Sequence, residues 1–189
     1  MGGCVALSVL GIALGVAHLS FLMKTLIVGL GNPILGDDGV GWKVAEEVKK
    51  QLTSLPSPKR RLGIIPSGGA GGEVNVEFLS LGGISLMEHL IGYERAILID
   101  AVNSDQEVGS LIVSNLNDMP DYSAFHIASA HDTSLHNALK LGKSMGACLP
   151  KEVIVVGIAT ERIYDFSETL SPVIEQAVPK ATNIVINLL

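Results

Sequence analysis

Apolar and polar positions fall in blocks along the chain, and the blocks change period from one to the next. TLIVGL at Thr25–Leu30 is short, almost wholly apolar and followed by glycines, the pattern of a strand buried on both faces of a parallel sheet. Val40, Val44, Val48 and Leu52 recur near helical spacing, which predicts a first helix over Gly39–Leu52. Thr53–Gly72 breaks the pattern with prolines, glycines and the basic run Lys59, Arg60, Arg61, and reads as a surface insertion. It serves either as a solvated loop or as a docking patch for an acidic partner. Further strands are predicted at Asn75–Leu81, Ala96–Asp100, Ser110–Val113 and Glu152–Ile158, and helices at Ser85–Ile91 and Thr133–Met145. Ser171–Leu189 reads as a closing helix, with Ser171 as N-cap and Pro172 at the first helical position. Strands alternating with helices imply right-handed crossovers. The fold class is α/β: a three-layer α/β/α sandwich around a mostly parallel central sheet of about five strands.

The first 23 residues are of a different composition. Met1–Met23 contains no Asp, Glu, Lys or Arg, and the first formal charge is Lys24. Such a run is long enough to span a bilayer, so an anchor is one reading. A signal peptide is another, although a basic n-region and an A-x-A site are missing. The favoured reading is an upstream translation start. Leu26–Leu30 already supplies a first strand and a glycine turn follows it directly, so residues 1–22 are a leader and 23–189 a single α/β domain.

The rest of the chain narrows the function class. Its 189 residues suit one domain, and 48% hydrophobic against 17% charged residues excludes a disordered chain. With 13 Lys and Arg against 19 Asp and Glu, the net charge is −6, opposite to that of a dedicated nucleic-acid binder. Two cysteines, Cys4 and Cys148, build neither a disulfide framework nor a cysteine-ligated metal centre.

In parallel sheets, sites form beyond the carboxyl ends of the strands. Polar residues predicted there are Asn32, Asp37 and Asp38 after the first strand, Asp100 at the end of AILID, then Asn103, and His126, His131 and Asp132 before the Thr133 helix. Two carboxylates and an imidazole on separate loops suit a divalent transition metal. Three protein ligands leave positions open, as reactive or transiently occupied sites do. Bland readings stand beside these. Asp37 or Asp38 caps the first helix equally well, and Asp100 can bond amides of a neighbouring loop. His126, His131 and His136 are spaced by five and share no helical face, so they form no helical histidine cluster.

Three patterns lead nowhere. Gly29, Leu30 and Gly31 begin a dinucleotide fingerprint, but Ile34 stands where its third glycine belongs. Gly142–Gly146 fits G-x-S-x-G, yet it follows a helix and precedes a strand, the reverse of a nucleophile elbow. Cys148 has no nearby histidine in the sequence and is expected to pack in the core.

The stretch GLGNPILGDDGVG at Gly29–Gly41, the strand end Ile99, Asp100, Ala101, and Ser129, Ala130, His131 before a helix resemble, in that order, the motifs of the nickel–iron hydrogenase maturation proteases. The resemblance covers Lys24–Leu189. It implies an aspartic-type endopeptidase that removes the C-terminal extension of a hydrogenase large-subunit precursor after nickel insertion. Asp38, Asp100 and His131 are then the metal-sensing and catalytic residues, although some members carry Glu in place of Asp38. The nickel is supplied by the precursor and no organic cofactor is needed. The implied partner is the nickel-loaded precursor, with no nucleic acid, with membrane contact only if the leader is retained, and with action in the cytoplasm. Asp37 and Asp132 are further candidates for supporting or substrate-reading acids. The alternative is a non-catalytic chaperone for the same precursor. Peptidyl-tRNA hydrolases share a V-G-L-G-N-P start, but between His18 and His89 this chain lacks the histidine they carry soon after it.

Intact-mass analysis of the protein from its native source is expected to give an N-terminus at Met23; a chain beginning at Met1 overturns the upstream-start reading.

Overall fold

The computed structural model describes residues 23–54, 64–67, 70–119, 134–161 and 166–189. The strands are β1 (Lys24–Leu30), β2 (Ile64–Ser67), β3 (Ala70–Leu79), β4 (Arg95–Val102), β5 (Leu111–Asn115) and β6 (Glu152–Ala159). The helices are α1 (Val40–Ser54), α2 (Gly83–His89), α3 (Leu135–Ser144) and α4 (Pro172–Asn187), with short 3-10 turns at Gly36–Gly39 and Leu116–Asp118. The sheet order is β2-β3-β1-β4-β6-β5. β3, β1, β4 and β6 run parallel, and β2 and β5 add antiparallel edges.

The expected sandwich and its mostly parallel sheet are present, with six strands rather than about five. The added strand is β2, which lies within the presumed insertion 53–72, where β3 also begins and α1 still runs to Ser54. Proline and glycine hid it. Pro66 sits in an edge strand, the position that tolerates a residue without an N–H. Elsewhere the elements match the hydrophobic pattern to within a few residues, the largest shift being the start of β3 at Ala70 rather than Asn75. Residues 1–22 lie outside the described residues. Among the described residues no helix is long and apolar enough to cross a membrane.

Alternation along the central strands divides the core in two. Leu26, Val28 and Leu30 of β1, Leu98 and Val102 of β4 and Val153 and Val155 of β6 pack with Leu86, Leu90, Leu135 and Ala138 under α2 and α3. Ile27, Ile97, Ile99, Ile154, Val156 and Ile158 pack with Val40, Val44, Val48, Ile174, Ala181 and Val185 under α1 and α4. Each of the Val, Leu and Ile side chains among them contributes about 1.5–3 kcal/mol by leaving water, so these two layers dominate the stability. Arg95 pins the far end of the molecule: its guanidinium donates to the Leu188 carbonyl and pairs with Glu152 at 2.7 Å.

One contact sets the height of α1 above the sheet. A Cβ on Gly41 would stand 2.2 Å from the Leu30 carbonyl oxygen and 2.4 Å from that of Ile99. A Cβ on Gly29 would stand 2.6 Å from the Gly41 oxygen and 2.7 Å from the Ala45 methyl. The first turn of α1 thus rests directly on the ends of β1 and β4, backbone against backbone. Gly41→Ala is expected to lower stability by about 3 kcal/mol, the upper range of overpacking, because main chain rather than a movable side chain is struck. Urea denaturation measures it, and a loss under about 0.5 kcal/mol would show that α1 can lift without cost.

Candidate active site

The chain leaves β1 toward α1 on one face of the sheet and leaves β4 toward β5 and α3 on the other. β1 and β4 are neighbours, with Gly29 opposite Ile99. Their carboxyl ends therefore flank a crevice where the crossovers part, the place where open α/β sheets bind ligands. Asp38 lies in the loop after β1 and Asp100 at the end of β4. The Gly41 contact with Ile99 holds α1, three residues beyond Asp38, against the strand that carries Asp100.

Backbone geometry and hydrogen bonds fix the loop. Gly31 (φ 124°) and Gly36 (φ 57°) take conformations that side chains disfavour, and they turn the chain off β1 and into the 3-10 turn. The Gly31 N–H donates to the Leu79 carbonyl (3.2 Å) and the Ser80 hydroxyl to the Gly31 carbonyl (2.6 Å), so the end of β3 holds one side. The Trp42 indole N–H also donates to Leu79 (3.2 Å), and its ring packs on Phe78 with centroids 5.6 Å apart. On the other side Gly36 N–H donates to the Ser167 carbonyl (2.7 Å) and Ser167 N–H to the Ile34 carbonyl (3.0 Å).

The two adjacent acids do different work. Asp37 Oδ1 accepts from the Ser171 N–H at 2.6 Å, so this carboxylate ties the glycine loop to the start of α4. Capping of the first helix was the local expectation; the bond instead reaches 134 residues along the chain. Asp38 Oδ2 accepts from the Asn32 N–H at 2.7 Å, which orients a half-buried carboxylate across the loop. The Asn32 side-chain oxygen in turn accepts from the Ile34 N–H (3.2 Å), which orients the loop. Asp100 is 0% exposed. It lies between Leu98 and Val102 on the strand face that looks toward α2 and α3.

His131, His126 and Asp132 lie outside the described residues, and among the described residues no group of three metal-binding side chains occurs. His89 Nδ1 pairs with Glu77 Oε2 at 2.9 Å, and His136 Nε2 donates to the Leu116 carbonyl at 2.8 Å; both are structural links. Asn103 is exposed. Cys148, expected in the core, is exposed on the connection after α3, where its carbonyl accepts from Gly92 N–H (2.8 Å). Sequence reasoning missed Ser80, Trp42 and Ser167, and it named Ser171 as the N-cap of α4 but not as the partner of Asp37. They act through pairings across the fold, which no local pattern announces.

Comparison with known proteins decides the family. The model of the HycI family, hydrogenase maturation protease, matches residues 71–188. The chain belongs to the hydrogenase maturation protease family. It is a peptidase, and the reading as a non-catalytic chaperone falls away. The matched span contains Asp100 and begins after the glycine loop. Broader likeness takes in the loop's share of the chain. The protease is 28% identical over 163 residues to a putative hydrogenase maturation protease of Methanocaldococcus jannaschii, covering 85% of this chain and 93% of that one. It is 22% identical over 168 residues to the hydrogenase expression/formation protein HupD of Bradyrhizobium diazoefficiens, covering 88% and 78%. Its fold is that of the hydrogenase maturating endopeptidase HybD of E. coli, with TM-score 0.62, 20% identity and coverage of 88% and 92%. The NiFe hydrogenase maturation protease HybD of Thermococcus kodakarensis gives TM-score 0.57 at 25% identity, covering 88% and 99%.

Asp37→Ala is expected to cost the protease about 1.5–3 kcal/mol, the range for a hydrogen bond to a charged group, with Asp37→Asn losing less because it keeps an acceptor. Denaturant midpoints of the two variants measure this; equal, unchanged midpoints would show that the Ser171 bond contributes nothing.

Proposed function

We propose that this protease removes the C-terminal extension from the large-subunit precursor of a nickel–iron hydrogenase once nickel is in place. The observation that carries the reading is the placement of two carboxylates on neighbouring strand ends: Asp38 in the loop after β1, and the fully buried Asp100 near the end of β4. His131, expected at the same edge, completes a donor set of two oxygens and one nitrogen. That set suits a divalent transition metal and leaves coordination positions for the ligands a substrate brings. Nickel is here part of the substrate, held by the precursor's own thiolates.

The residues of the chain have separable tasks. Asn32 N–H holds one oxygen of Asp38 and so orients the carboxylate within the loop. Asp100 stands on a central strand between β1 and β6 and moves little, which fixes one point of the site. A metal ion can polarise a carbonyl or lower the pKa of a bound water. Cleavage then depends on correct loading, because only a loaded precursor is registered by all three side chains. Asp37 supports the arrangement through Ser171 rather than by touching substrate.

The test is cleavage of the same organism's precursor, with and without nickel, read by mass spectrometry. Wild-type protease is expected to release a C-terminal peptide from the loaded form alone. Asp38→Asn, Asp100→Asn and His131→Ala are each expected to slow release at least a hundredfold while keeping the wild-type circular dichroism spectrum. Wild-type rates in both Asp38→Asn and His131→Ala would refute the metal-sensing site.

A further inference from the structure

The glycine loop carries a feature that neither its fold nor the carboxylates require. Ile34 is 47% exposed and Phe166 is 85% exposed. They are brought side by side by an isolated parallel bridge, Leu35 with Ser167. Two main-chain hydrogen bonds hold that bridge: Ser167 N–H to the Ile34 carbonyl (3.0 Å) and Gly36 N–H to the Ser167 carbonyl (2.7 Å). A third joins it to the proposed site, from the Asp38 N–H to the Leu35 carbonyl (3.3 Å). Two large apolar side chains are thus held in water by a main-chain bridge that is itself hydrogen-bonded to Asp38.

We infer that Ile34 and Phe166 form an apolar shelf that binds an apolar side chain of the precursor segment next to the scissile bond. The inference rests on the reading that substrate is cut at the Asp38 and Asp100 edge. Continuity argues for a polypeptide occupant. Ile34 and Asp38 share one loop and the Leu35–Ser167 bridge ties the Phe166 segment to it, so a chain that reaches Asp38 has the shelf next to it along that loop. An extended segment places successive side chains on opposite sides, so one residue can face the carboxylates while its neighbour covers the shelf. The bridge is made by main chain, so changing either side chain leaves the mount intact. Exposed aromatic anchors on rigid mounts carry a large share of binding energy in protein interfaces.

The full-length protease and the hydrogenase precursor are used, with Phe166→Ser, the double variant Ile34→Ser/Phe166→Ser, and Phe166→Leu. Precursor binding is read by biolayer interferometry and cleavage under single-turnover conditions at saturating enzyme. Phe166→Ser is expected to raise Kd about tenfold, equivalent to about 1.4 kcal/mol, and the double variant further. Phe166→Leu retains most of the affinity. The saturated rate stays within about twofold of wild type in all three, and their thermal midpoints do not move. An unchanged Kd in the double variant overturns the shelf, as does a reduced saturated rate with unchanged Kd. Binding without any cleavage by wild type would instead overturn the proposed function, while the Kd comparison would still decide the shelf.

Discussion

The contact between the first turn of α1 and the sheet governs where everything at the active edge can lie. Gly41 has the carbonyl oxygens of Leu30 and Ile99 where a side chain would start, and Gly29 has the Gly41 oxygen and the Ala45 methyl there. With no Cβ on either, the helix settles onto two strands at once. The loop that joins β1 to α1 is then too tightly tethered at both ends to swing away from the crevice. A helix held higher by ordinary side chains would bury the same Val40, Val44 and Val48 less well and would carry Asp38 off the strand end that bears Asp100.

That tethered loop is braced by three other parts of the molecule. The end of β3 holds Gly31 through Leu79 and Ser80, Ser167 bridges to Leu35, and Ser171 takes the Asp37 carboxylate. Adjacent acids in one turn consequently acquire unlike roles. Asp37 joins two segments of the fold, and Asp38 accepts from the Asn32 N–H within the loop. The arrangement places a carboxylate by main-chain hydrogen bonds rather than by side-chain packing. Such bonds are directional, and they hold the oxygen in place while its neighbours remain accessible.

Much of this was legible in the residues. Unbroken apolar runs announced the parallel strands and helical spacing announced α1, because burial on one or both faces imposes those periods directly, while Ser171 followed by Pro172 announced the start of α4. Asp100 was legible as an acid at a strand end for a related reason: it directly follows the apolar run AILI. β2 was not legible, since an edge strand buries little and tolerates the Pro66 that argues against it. The capping reading of Asp37 failed for another reason. Helix capping is a local rule, whereas its actual partner, Ser171, becomes a neighbour only once α4 docks.

Taken alone, the sequence determined the fold class, the order of elements, the two acids at the carboxyl edge and the motifs that resemble the protease family. These depend on period, composition and spacing, which are properties of neighbouring residues. The tertiary structure decided what Gly29 and Gly41 are for, that Asp37 bonds Ser171 while Asp38 bonds Asn32, and that Ile34 and Phe166 flank one bridge in water. Apart from the Asn32 bond, each of those rests on a pairing between segments distant in the chain. Such pairings follow from how the two layers of helices close over the sheet, and no local pattern encodes them.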